Sequence, residues 1–168
     1  MFAKDNLALL CDFYELTMGR GYFHSGHRDT IAYFDVFFRK NPDGGGYAIA
    51  CGLEQIAEYI KNLHFNEDDI EYLRSTEKFD EAFLKYLKKF RFTGDIWAVT
   101  EGTVIFPGEP ILTVRAPVIE AQLIETYVLL CINHQSLIAT KASRMVRVAG
   151  GRPISEFGSR RAHGEDAA

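Results

Sequence analysis

The stretch DIWAVTEGTVIFPGEPILTVRAP, at residues 95–117, decides the fold class. It contains three short β-like runs, at residues 95–100, 103–106 and 111–114, and the turn sequence Pro-Gly-Glu-Pro separates the last two. Short runs rich in β-branched and aromatic residues, divided by tight turns, are typical of antiparallel strands. We therefore predict a small antiparallel sheet in this part of the chain.

Helical periodicity dominates on both sides of this stretch. Upstream, apolar residues recur at helical spacing in residues 7–21, 47–63 and 80–90, while residues 31–38 form a further β-like run. Downstream, residues 118–148 form the longest apolar-periodic region and contain no proline. This region is predicted to be one long helix or two abutting helices.

The last part of the chain is predicted to begin a second unit. Residues 154–157 have the composition of a first strand, after a glycine-rich break. The fold class is therefore predicted as an α+β domain at residues 1–116, followed at residues 117–168 by connecting helices and the first strand of an α/β domain. One strand cannot form a sheet, because its backbone groups need neighbours. The second domain is accordingly expected to be incomplete in this chain.

Composition excludes several classes of function. The chain has 168 residues, 47% of them hydrophobic, and a net charge of −4, whereas nucleic-acid-binding domains are usually basic. It has no run of 18 apolar residues, so no membrane partner is expected. Its three cysteines, Cys11, Cys51 and Cys131, are scattered, and neither they nor the histidines show a metal-binding spacing. We predict reduced thiols, a cytoplasmic location and no metal bound by this chain's own ligands.

Basic residues concentrate near the end of the chain. Six basic residues and one acidic residue lie between Lys141 and Arg161, which suggests a site for an anionic small molecule. For Arg144 and Arg147, three residues apart, the alternative is a solvated helix face. Further on, Phe157 can offer a ring for stacking, and two adjacent arginines can offer guanidinium groups that match phosphate oxygens.

Five segments resemble one known family, the nicotinate phosphoribosyltransferases. In chain order they are LCDFYELTMGRGY, YFDVFFRKNPDGGGYAIACGL, EGTVIFPGEPILTVRAPVIEAQLIET, LIATKASRMV and EFGSRRAHGEDAA. Because the family enzyme is much longer, the chain resembles its N-terminal portion. The resemblance implies that the incomplete second domain is the start of an α/β barrel-like domain.

The resemblance also implies a reaction. Nicotinate attacks C1 of 5-phosphoribosyl 1-pyrophosphate and gives nicotinate mononucleotide and pyrophosphate, in the salvage route to NAD. Family members use Mg²⁺ and couple the reaction to ATP hydrolysis through a phosphorylated histidine, which belongs to a later part of the family chain. The related enzymes are head-to-tail homodimers with shared active sites. We therefore expect little or no activity from the 168 residues alone.

The resemblance assigns five residues to substrate binding. Phe157 would stack on one face of the pyridine ring and Tyr14 of the partner subunit on the other. Arg160 would bind the substrate phosphates and act in catalysis, Arg39 would assist from across the interface, and Asp12 would lie near the base. Each also suits a structural role, since phenylalanine and tyrosine are often buried and a strand-end arginine is often solvated.

Two other functions remain open at this point. The base could be nicotinamide or quinolinate instead of nicotinate, because the groups that read its substituent lie largely beyond the sequence. The chain could also be a non-catalytic module that dimerises or docks on a full-length homologue, since an unpaired strand edge at residues 154–157 would recruit a partner.

Overall fold

A computed structural model describes residues 6–164 and 167 and has α+β architecture, with helices packed on a three-stranded and beside a two-stranded antiparallel sheet. The helices are α1 (Phe13–His24), α2 (Leu53–Asn62), α3 (Glu67–Ser75), α4 (Glu81–Lys88), α5 (Val118–Leu123) and α6 (Glu125–Ala149). The strands are β1 (Ile31–Val36), β2 (Ala48–Ile49), β3 (Asp95–Ala98), β4 (Val104–Ile105) and β5 (Leu112–Pro117). Single 3₁₀ turns lie at Pro42–Gly44 and Ser159–Arg161.

Strand β5 is the centre of the larger sheet, which has the order β1-β5-β3 with both pairs antiparallel. Its alternate residues Leu112 and Val114 are buried, as expected for a strand with one face on a core. On the other face Arg115 joins both neighbours, because its guanidinium group donates to the Tyr33 hydroxyl at 3.1 Å and to Asp95 at 3.0 Å. The small antiparallel sheet predicted from the turn chemistry is therefore confirmed.

The region predicted as one long or two abutting helices contains two helices. Helix α5 follows directly on Pro117, and α6 begins at Glu125, so that a single residue, Ile124, separates the two helices. Helix α5 packs against α1, β1 and β5, so it joins the sheet to the helical layer. No helix in residues 6–164 is long and apolar enough to cross a membrane. The buried core includes Phe83, Leu84 and Leu87 of α4, Ile119 and Leu123 of α5, Ile124 between the two helices, and Val128 of α6.

Helix α6 satisfies backbone groups of the short strand β2 and of the residues after it. The Ile49 amide donates to Thr140 Oγ1 at 2.8 Å, and the Cys51 amide donates to Ser136 Oγ at 3.0 Å. This close approach requires a glycine at the next position. Gly52 has a φ of +113°, and a side chain there would meet the carbonyl oxygen of Cys131 at 3.0 Å.

The structure corrects the predicted boundaries at two places near the N-terminus. The helix predicted at residues 7–21 begins only at Phe13 and continues to His24. Turns precede it, one of them closed by the Leu10 amide donating to the Leu7 carbonyl at 3.0 Å. Apolar periodicity did not distinguish these turns from the helix, because the turn residues also pack against the core. In residues 47–63, strand β2 precedes the helix.

The predicted strand at residues 154–157 is wrong for this chain. These residues form no strand and are exposed, with Phe157 retaining 74% of its accessible surface. A strand needs a neighbouring backbone to pair with, and no described strand pairs with this segment. The barrel-like continuation is therefore not seen in the described residues, and the domain boundary after residue 116 stays a prediction.

Glu101 caps helix α2 from a distant turn, and removing its carboxylate should destabilise the fold. Its Oε1 atom accepts from the Gly52 amide at 2.7 Å and from the Leu53 amide at 2.6 Å, where the helix has no side-chain cap of its own. We expect Glu101→Ala to lower the free energy of unfolding by about 1 kcal/mol, the usual contribution of a helix cap. Urea denaturation measures this change, with Glu109→Ala in another exposed turn as control. Equal stability of the two variants would contradict the capping role.

Candidate functional site

Asp12 and Arg39, two of the residues assigned by resemblance, line the same cavity. Its volume is about 410 Å³, and it lies between the start of α1, the chain after β1 and the first turns of α6. Other parts of its wall are polar, from Glu125, Thr126 and Asn133. The apolar part of the wall is formed by Val36, Phe37, Phe38, Ile111, Leu129, Leu130 and Ile132. The cavity therefore combines an apolar surface with one cation and two carboxylates.

Tyr14 lies on the first turn of α1 and is linked to this cavity through Glu125. Its ring is 43% exposed. Desolvation and a hydrogen bond with the Glu125 carboxylate raise the pKa of the Tyr14 phenol to about 12. The phenol therefore stays neutral at physiological pH.

Glu15, the next residue on α1, was not identified from the sequence. It is fully buried, and its Oε1 atom accepts hydrogen bonds from the hydroxyl of Thr126 at 2.7 Å and from the Thr126 amide at 3.2 Å. The same hydroxyl accepts from the Asp12 amide at 3.1 Å. Burial raises the pKa of Glu15 to about 7, although the bonds from Thr126 oppose this shift. No local pattern signals the contact, because Thr126 is 111 positions away in the chain.

Phe157 and Arg160 lie outside this cavity. Both are exposed and belong to the segment that follows α6, which has 25 residues and is therefore about 37 Å long. Within residues 6–164, no hydrogen bond or ion pair links either of them to the cavity wall. One chain thus presents Asp12, Tyr14 and Arg39 at the start of α6, and Phe157 and Arg160 beyond its end.

Arg144, part of the basic segment, stabilises a turn and is not part of a solvated face. Its guanidinium group donates to the Pro42 carbonyl at 3.1 Å and pairs with Asp43 at 3.4 Å. Gly45 permits this contact, since a Cβ atom there would lie 2.0 Å from the guanidinium group. The glycine run at residues 44–46 therefore serves as a turn against α6, whereas Arg147 is exposed.

The cysteines and carboxylates near the cavity do not form a nucleophilic or metal centre of their own. All three cysteines are free, and burial raises the pKa of each thiol. For Cys11, beside the cavity residue Asp12, burial and the nearby carboxylates of Glu15 and Asp12 raise the pKa to about 12. In the described part of the chain, no three His, Cys, Asp or Glu side chains lie close enough to bind one metal ion.

The thiol of Cys11 should be chemically inert in the folded chain. At pH 8 a thiol with a pKa of about 12 has about a thousandth of the thiolate of an ordinary cysteine. In a variant that retains only Cys11, made by Cys51→Ser and Cys131→Ser, we expect alkylation by iodoacetamide to be more than about a hundredfold slower in the native chain than in urea. Similar rates in the two states would show that this thiol is not protected.

Comparison with known proteins identifies the family. The family model described as the nicotinate phosphoribosyltransferase N-terminal domain matches residues 9–133. A nicotinate phosphoribosyltransferase of Mycobacterium tuberculosis is 50% identical over 161 residues, which cover 96% of this chain and 35% of that protein. The nicotinate phosphoribosyltransferase of Bacillus subtilis is 44% identical over 167 residues, which cover 99% of this chain and 34% of that protein. The chain thus spans about a third of the length of these relatives.

Solved structures agree with this result. The crystal structure of human nicotinic acid phosphoribosyltransferase matches with a TM-score of 0.84 and 36% identity, over 94% of this chain and 32% of that chain. Nicotinate-nucleotide pyrophosphorylase from Pyrococcus furiosus matches with a TM-score of 0.69 and 20% identity, over 93% of this chain and 32% of that chain, and so shares the fold. The chain therefore belongs to the nicotinate phosphoribosyltransferase family, in which it matches the N-terminal domain.

Proposed function

We propose that this chain is the N-terminal part of a cytoplasmic nicotinate phosphoribosyltransferase, which forms nicotinate mononucleotide and pyrophosphate from nicotinate and 5-phosphoribosyl 1-pyrophosphate. The observation that carries the proposal is the cavity that brings Asp12 and Arg39 together beside Tyr14. All three residues lie within the segment that matches the family's N-terminal domain. The proposed product places the enzyme in the salvage route to NAD.

The separation of the assigned residues supports a site shared between two subunits. Tyr14 and Phe157 are both exposed, which is unusual for aromatic rings that have only a packing role. Helix α6 lies between them in the chain and is too long for a local turn to bring them together. In a head-to-tail homodimer, Phe157 of one subunit and Tyr14 of the partner subunit would enclose the nicotinate ring between two aromatic faces.

The charged residues suit the chemistry of the transfer. Breaking the bond between C1 and pyrophosphate builds positive charge on the ribose and negative charge on the leaving group, so catalysis depends on positioning and on cations near the phosphates. Arg160 would bind the phosphates of the substrate, and Arg39 would approach the same phosphates from across the interface.

Mg²⁺ is commonly bound by one or two carboxylates together with substrate phosphates. The ion would neutralise charge on the pyrophosphate.

The coupling to ATP hydrolysis rests on family membership alone. It requires a histidine that accepts a phosphoryl group, and the family's residue for this step belongs to a later part of its chain. We therefore propose that Mg·ATP is used by the complete enzyme and that the 168 residues alone turn over nicotinate slowly or not at all. Nicotinamide and quinolinate, the alternative bases, serve as competing ligands in the experiment below.

A second candidate, a non-catalytic module that associates with another chain, is favoured by one observation. Helix α6 and the segment after it expose apolar side chains that a monomer would normally bury. These are Leu129, Leu130, Leu137, Ile138, Met145, Val146, Val148, Ile154 and Phe157. Such a surface suits association with a second copy or with a homologue, and it is equally compatible with the catalytic proposal. Activity of a hybrid enzyme separates the two.

A hybrid enzyme tests the proposed function directly. This chain would replace the matching N-terminal segment of the Bacillus subtilis relative, to which it is 44% identical over 167 residues. We expect the hybrid to form nicotinate mononucleotide from nicotinate in preference to nicotinamide or quinolinate. Arg39→Ala should lower kcat/KM by about 10- to 100-fold, because a charge-assisted bond to a phosphate is lost.

Lys40→Ala, next to Arg39 and also exposed, is the matched control and should change kcat/KM less than about threefold. A folded hybrid without any transferase activity would favour the non-catalytic module. Full turnover by the 168 residues alone would contradict the placement of the missing catalytic groups outside this segment.

A further inference from the structure

Glu15 is a buried carboxylate, and none of the proposed contacts with substrate explains why it is buried. It is 0% exposed, whereas glutamate is rarely buried without partners. Its Oε1 atom has two hydrogen bonds from Thr126, and its buried Oε2 atom has no partner among the described residues. A buried carboxyl oxygen without a partner is energetically costly, so its presence suggests a role beyond packing.

A directed chain of hydrogen bonds runs from the cavity to this carboxylate. The Asp12 amide donates to Thr126 Oγ1 at 3.1 Å, and the Thr126 hydroxyl donates its single proton to Glu15 Oε1 at 2.7 Å. The Thr126 amide, one of the first amides of α6, donates to the same oxygen at 3.2 Å. Helix α6 has no side-chain cap at its N-cap residue Ile124. Glu15 therefore supplies, from α1, an acceptor that the helix start lacks.

Two consecutive residues of α1 thus interact with two consecutive residues at the start of α6. Glu15 is hydrogen-bonded to Thr126, and the Glu125 carboxylate helps to raise the pKa of the Tyr14 phenol. Both α6 residues line the cavity, as does Asp12. Breaking the contact between Glu15 and Thr126 would free the first turn of α1 to move relative to the cavity wall.

We propose that Glu15 is a positioning residue of the candidate site, which sets the spacing of Asp12 and Tyr14 from the cavity through Thr126. The proposal rests on the proposed function for its catalytic consequence, but the positioning itself can be measured without catalysis. Glu15 is not among the residues that line the cavity, whereas Thr126 is. Glu15 therefore acts on the cavity through Thr126.

The protonation state of Glu15 should influence this contact, because no cation is among the groups that face it. Burial first, and then the carboxylates of Glu125 and Asp12, raise the pKa of Glu15 to about 7. This value lies above that of an unfolded glutamate, about 4.3, so folding favours the neutral acid. The contribution of neutral Glu15 to the free energy of unfolding is therefore fully present below about pH 4. It is lost as the pH rises through about 7. The titratable groups facing Glu15 are Cys11, Asp12 and Tyr14 of the N-terminal segment, Tyr59 of α2 and Glu125 of α6.

The first experiment measures positioning in the 168-residue chain. We expect Thr126→Val to speed hydrogen exchange of the Asp12 amide at least about tenfold, because its acceptor is lost. The Leu16 amide, on the same helix, should change far less. Glu15→Gln keeps an acceptor oxygen of the same shape and should leave Asp12 protected. Equal Asp12 exchange in the wild type and in Thr126→Val would overturn the proposal.

The second experiment uses the pH dependence of unfolding in urea. Between pH 5 and 8 the unfolding equilibrium constant of the wild type should rise on the order of a hundredfold more than that of Glu15→Gln, since only the wild type must ionise a buried acid. Glu54→Gln, an exposed acid on α2, is the control and should follow the wild type. Parallel pH profiles for the wild type and Glu15→Gln would refute the inference that Glu15 is the group that titrates.

The hybrid enzyme then separates positioning from function. Thr126→Val in the hybrid should raise KM for nicotinate more than it lowers kcat, while Glu15→Gln should mainly change the pH profile of kcat/KM. An inactive hybrid with altered Asp12 exchange would sink the proposed function and leave the positioning role supported. An active hybrid with unaltered KM in Thr126→Val would sink the positioning role alone.

Discussion

The structure depends on hydroxyl side chains of α6. They accept hydrogen bonds from backbone amides that have no partner within a helix or a sheet. Thr126 accepts from Asp12, Ser136 from Cys51 and Thr140 from Ile49, at 2.8 to 3.1 Å. Buried backbone groups must have partners, and strand β2 is too short to supply them through a sheet of its own. Helix α6 therefore connects the start of α1 and the β2 segment to one rigid element.

This arrangement explains why the candidate site divides between the two ends of α6. The first turn of the helix carries Glu125 and Thr126, to which α1 is bonded, so Asp12 and Tyr14 have defined positions there. The last turn is followed by a segment that is exposed and forms no sheet. Residues at the first end are held by the fold, whereas Phe157 and Arg160 are exposed and do not line the cavity. This separation is the observation that supports the shared site that we propose.

Sequence reasoning succeeded where the determining interactions are local. Turn chemistry predicted the antiparallel sheet, in which β5 pairs with both β1 and β3. It failed where contacts between distant residues determine the structure. The turn before α1 has helical periodicity because its apolar residues pack on the core. Residues 154–157 have the composition of a strand but no strand to pair with. Family resemblance selected Asp12 and Arg39, which the fold places in one cavity. Neither approach identified Glu15, since its partner lies 111 residues away.

Complementation between two impaired variants of the hybrid enzyme tests the shared site directly. Arg39→Ala and Arg160→Ala damage opposite halves of the proposed shared site, so a heterodimer of the two has one site with both arginines intact. Co-expression of the two variants should restore about a quarter of the wild-type activity, because half of the dimers are mixed and each has one intact site. If the co-expressed variants are no more active than each variant alone, the two groups of residues do not meet between subunits and the proposed site is wrong.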